Sequence, residues 1–163
     1  MTTVSTGAGI GEPVPHTRPI TDQDQLDWCA HLFEYRRLKA LMDADEAFGP
    51  TAASEVEQDC ARALLAERHG GREAAMRNPT AAAEFKAIME ADNAACARQF
   101  REFVTPCDLA AVRLAVTPAP NLDAAILKIA IIKERELDSF GEMPGDPFDF
   151  VAADLERLKG CVA

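Results

Sequence analysis

Four dipeptides, Asn78-Pro79, Thr105-Pro106, Thr117-Pro118 and Asp146-Pro147, each set a short polar side chain before a proline, ahead of an Ala-, Leu-, Val- or Phe-containing stretch. An oxygen on the first residue can accept a bond from an orphan backbone N–H, and proline fixes φ where no N–H is required. The four steps therefore read as helix starts, each worth roughly 1 kcal/mol. Strands have no comparable signal. Period-2 runs of Val, Ile and Thr are nearly absent, aromatics make up 6% of the chain, and Ala and Leu are abundant. These features predict an all-α fold.

Three long helices are expected, over Asp22–Phe48, Thr51–His69 and Pro79–Val104, with short C-terminal helices closing an irregular bundle of five to six. Thr21 and Asp24 form a capping-box pattern, and Gly49-Pro50 stops the first helix. Trp28, Leu32, Tyr35, Leu38, Leu41 and Met42 recur at helical spacing as one apolar face. The second helix ends at His69, where Gly70-Gly71 supplies a left-handed residue. In the third, Phe85, Ile88, Met89, Cys96, Phe100 and Phe103 form a stripe. Thr105-Pro106 opens the fourth. Thr117-Pro118, or Asn121, opens the fifth, and Asp146-Pro147 opens the last, with Phe148, Val151, Leu155 and Leu158 on one face. Residues 1–20, rich in Thr, Gly and Pro, form a disordered N-terminal tail, leaving 21–163 as a single helical domain.

The formal charge of −10 is uneven: residues 21–60 carry ten acids against three bases. Such a surface disfavours nucleic acid and anionic membranes. Five cysteines, an odd number with no zinc-ligand spacing, argue against a disulfide framework and for a reducing cytoplasm, most of them acting as small buried side chains in helices. The stretch "AAILKIAII" is too short to span a bilayer.

Chemistry is hard to find. His16 falls in the tail, and His69 sits at a helix end. Cys29 and His31, two apart on one helix, face different sides. No Glu-x-x-His, calcium loop or nucleotide-binding glycine motif occurs in a suitable context, so no metal and no cofactor is expected. "TPAPNLDAAILKI", Thr117 to Ile129, resembles a segment of small, acidic, uncharacterised helical proteins of alphaproteobacteria, many of them from mobile elements or prophages. The resemblance implies a bacterial, cytoplasmic, helical protein and carries over no catalytic residue.

The expected function is non-enzymatic: binding to a protein partner, or self-association as a homo-oligomer. "DSFGEMPGDPF" offers Phe140, Met143 and Phe148 as a partner-binding loop, unless those side chains only close the bundle end. One alternative is an acidic inhibitor that imitates nucleic acid, with Asp22, Glu34, Asp43, Asp45, Glu55, Glu57 and Asp59 as its charged face. Another is a small helix-turn-helix regulator built from Thr105 to Leu137, with Lys128, Lys133 and Arg135 as donors. An enzyme using Cys96 or His31 comes last.

Overall fold

The computed structural model describes residues 19–160. They form seven α-helices and one π-helical turn, and no strand occurs among the described residues. The helices are α1 (Asp22–Phe48), α2 (Pro50–Arg68), α3 (Arg72–Arg77), α4 (Pro79–Gln99), α5 (Thr105–Val116), α6 (Leu122–Glu134) and α7 (Pro147–Lys159), with the π turn at Phe100–Val104. The all-α class is as the sequence indicates. The tail assigned to residues 1–20 lies almost wholly outside the described residues, as do His16 and Cys161.

The described residues form two compact units. Unit 1 comprises 19–35 and 108–160 of the described residues, and unit 2 is Arg36–Cys107. In unit 1, α6 packs on α7, and the buried side chains include Trp28, Tyr35, Leu114, Ile131, Ile132, Leu137 and Val151. In unit 2, α2, α3 and α4 pack on one another around Leu65, Ala75 and Ala81.

Local chemistry explains most boundaries. The Thr21 N–H donates to the Asp24 carboxylate at 2.8 Å, and the Asp24 N–H returns to Thr21 Oγ1 at 3.2 Å, which completes the capping box. Asn78 Oδ1 accepts from the N–H groups of Thr80 and Ala81, and Asp146 Oδ1 from that of Phe148. At the end of α2, Gly70 takes φ +74°, and the Gly71 N–H reaches back to the Ala66 carbonyl at 2.7 Å. Gly49 is needed for space. A Cβ there would lie 2.6 Å from the buried Asp45 carboxylate.

The two Thr-Pro steps behave differently from the caps expected of them. Thr105 has helical angles (φ −57°, ψ −46°) and lies inside a helix running from α4 through the π turn into α5. Pro106 has no N–H, and its ring would press on the carbonyl four residues back. The wider turn before it, with the Thr105 N–H bonded to the Phe100 carbonyl, gives the ring room without breaking the helix. Thr117 ends a helix instead of starting one. Its N–H bonds the Arg113 and Leu114 carbonyls, and its hydroxyl donates to the Arg113 carbonyl at 2.7 Å. The cap of α6 is Asn121, which accepts from the Ala124 N–H at 2.9 Å. The short helix α3 was not anticipated at all.

Asn121→Ala is expected to lower stability by about 1 kcal/mol, because it removes a working cap. Thr105→Ala, inside a continuous helix, is expected to change it by less than about 0.5 kcal/mol. Urea unfolding followed by circular dichroism compares the two.

Candidate functional site

Helix α1 places apolar residues on two opposite faces. Its inner row in unit 1 is Asp24, Trp28, His31 and Tyr35, buried except for a half-buried His31; in unit 2, Met42 and Asp45 are buried beside a half-buried Leu38. The outward face carries Leu26, Ala30 and Phe33 in unit 1, all exposed, with Phe33 at 71%. In unit 2 it carries Leu41, Ala44 and Phe48, also exposed, with Phe48 at 92%. Residues at i, i+4, i+7 and at i, i+3, i+7 line up on a helix, so each set is a compact patch about two turns long. Leu41 was assigned to the inner face from the sequence and stands outside instead.

Against Trp28 of the inner row in unit 1 lies a buried charged cluster. The linker Thr117–Asn121 contains Pro118 and Pro120 and so lacks two backbone donors. Its remaining groups are met by charge. Lys128 Nζ donates to the Thr117 carbonyl at 2.6 Å and to Asp154 Oδ2 at 2.5 Å. Asp154 Oδ1 accepts from the Ala119 N–H at 3.0 Å and from Arg157 Nη2 at 2.6 Å. Arg157 Nη2 also donates to the Ala119 carbonyl at 2.8 Å. The Lys128 ammonium lies 5.6 Å from the centre of the Trp28 ring, a cation–π distance.

Lys128 is only 1% exposed. Burial draws its pKa below the ordinary 10.5, against the upward pull of Asp154 and with a smaller downward push from Arg157. Further bonds tie α1 to the same unit. Since the Thr117 hydroxyl hydrogen goes to Arg113, His31 donates from Nδ1 to Thr117 Oγ1 at 2.7 Å. Tyr35 donates to Glu134 at 3.3 Å.

The histidines and cysteines singled out in the sequence do not converge. His31 is held by Thr117, and His69 Nδ1 accepts from the Asn78 side chain at 3.4 Å. Among the described residues Cys29, Cys60 and Cys96 are exposed free thiols and only Cys107 is buried, which differs from the expectation that most would be buried in helices. No three His, Cys, Asp or Glu side chains gather in a metal-holding group among the described residues. Phe140 and Met143 are half-buried and Phe148 is 39% exposed, so the loop turns its first two apolar side chains partly inward. No helix among the described residues is long and apolar enough to cross a membrane.

The charged cluster itself was not foreseen. Lys128, Asp154 and Arg157 look like surface residues in a sequence of this composition, and only their spacing on α6 and α7 lets them meet. Compared with family models, curated proteins and solved structures, the chain matches none.

Asp154→Ala leaves two buried cations without their counter-ion and is expected to cost about 3–5 kcal/mol. Lys128→Met leaves the Asp154–Arg157 pair intact but orphans the Thr117 carbonyl and Asp154 Oδ2, for a smaller loss of about 2–3 kcal/mol. The lowered Lys128 pKa fixes a pH trend. Approaching pH 10.5 the folded chain releases this proton before the unfolded chain does, so folding gains stability as pH rises. Measured relative to Lys128→Met, wild-type stability should increase from neutral pH toward 10.5. A decrease would contradict the assignment.

Proposed function

We propose that the protein works by binding another protein through the outward face of α1. The observation that carries this is the exposure of Phe33 and Phe48, each set with a leucine and an alanine into a helical patch. Single exposed apolar residues are ordinary, whereas ordered patches with an aromatic anchor are typical of contact surfaces. Burying each phenylalanine in a complex would contribute about 2 kcal/mol. The Phe140, Met143 and Phe148 loop is a secondary contact, with Phe148 its most open member. The exposed thiols at Cys29, Cys60 and Cys96 fit a reducing, cytoplasmic setting in a bacterial protein from a mobile element.

The two alternatives have less support. Of the donors a helix-turn-helix reading needs, Lys128 is buried on Asp154 and Arg135 is paired with Asp108, which leaves Lys133. Of the acids proposed to imitate phosphates, Asp45 is buried, Asp43 is paired with Lys39 and Asp59 with Arg62. Each set is thereby reduced, the donors to one lysine and the acids by three of seven.

A photo-crosslinking residue at position 33 or 48, in cells of the native host, is expected to give a discrete protein adduct. The same residue at position 123, exposed on α6, should not. Phe33→Glu and Phe48→Glu should shift stability by less than about 0.5 kcal/mol while weakening the complex by roughly thirtyfold or more. Equal adducts at 33, 48 and 123, or a complex indifferent to both glutamates, would refute the proposal.

A further inference from the structure

Helices α2, α3 and α4 enclose a half-open cavity of about 490 Å³. Its wall includes Ala63, Ala66, Ala75, Met76, Phe85 and Met89. The small side chains matter most here. Four alanines, counting Ala81, stand where larger residues would have closed the space, and the neighbouring core has Leu65, Ala75 and Ala81 buried, with Phe85 and Ile88 packed partly buried against them. Protein interiors pack densely, so a gap of this size beside so small a core is out of keeping with a finished fold. The volume lies in the range of small-molecule sites.

Two cations line the same cavity. Arg62 is spent: it donates to Asp59 and to Asp92, each at 2.7 Å. Arg72 is exposed and makes no hydrogen bond or ion pair among the described residues. Its guanidinium is therefore available to an anion at the edge of the apolar wall. A carboxylate would meet it with two parallel, charge-assisted bonds, whereas a neutral or cationic head would leave it unpaired. The methionine thioethers give the wall the adaptability that suits a flexible chain.

From this we infer that the cavity binds a small aliphatic carboxylate of the fatty-acid class. The tail lies against the alanines, Phe85 and Met89, and the carboxylate sits on Arg72. The site uses neither of the α1 patches, so it stands or falls apart from the function proposed above.

Isothermal titration of the full chain with dodecanoate, below its micellar concentration, tests this directly, with dodecyltrimethylammonium as the same tail under an opposite head. Dodecanoate is expected to bind once per chain and more tightly than the ammonium. Arg72→Gln should weaken dodecanoate by roughly tenfold and should not weaken the ammonium, whose like-charge repulsion it removes. Ala66→Phe should fill the space and abolish binding with the helical circular dichroism retained. If that variant unfolds, Ala63→Phe, at an exposed position on the same wall, supplies the same comparison. Equal affinity for the two heads, no effect of Arg72→Gln, or no saturable one-to-one binding would overturn the inference.

Discussion

Unit 1 depends on three buried charges. Lys128, Asp154 and Arg157 carry a net positive charge in a region almost closed to water, an arrangement that is costly unless every donor and acceptor is well used. Here the use is specific. A linker with prolines at 118 and 120 cannot satisfy its own backbone, and the cluster takes up the Thr117 carbonyl together with the N–H and carbonyl of Ala119. One carboxylate thus orders the passage from α5 to α6 and anchors α7 to it. The same ammonium faces Trp28, so the seating of the N-terminal part of α1 is tied to that passage.

That seating determines what α1 can do. With Trp28, His31 and Tyr35 committed inward, Leu26, Ala30 and Phe33 are left on the other side. In unit 2 the commitment of Met42 and Asp45 leaves Leu41, Ala44 and Phe48 outside in the same way. A helix apolar on both faces is poorly suited to a permanently solvated surface, and it is well suited to joining one core to a second surface. Unit 2 shows another use of apolar residues, an alanine-lined hollow bordered by an unpaired arginine. Both features are consistent with binding, and they rest on different residues.

The sequence made the helix ends legible where the device is local. The Thr21–Asp24 box and the caps at Asn78 and Asp146 need only residues within one turn, and they form as the pattern indicates. The same rule misjudged Thr105 and Thr117, because a proline can also be carried inside a helix by a π turn, or follow a helix that has already closed. Long-range chemistry was hidden. Charged residues are usually surface residues, so the Val151 face of α7 was assigned Phe148, Leu155 and Leu158, while Asp154 and Arg157 occupy its buried side. The outward patches of α1 were hidden for the opposite reason. Apolar residues at helical spacing imply burial, and a sequence does not say which of two such faces the fold will use. A cavity made by alanines leaves even less trace, since it exists only once three helices meet.

The central claim is that the outward face of α1 is a contact surface. Hydroxyl-radical footprinting, read at Phe33 and Phe48 by mass spectrometry, tests it with the native chain. The account predicts rapid oxidation of both rings in dilute purified protein and strong protection of at least one in cells of the native host, with exposed Leu122 and Ile126 on α6 equally reactive in both. Equal oxidation of Phe33 and Phe48 in the two settings would contradict it.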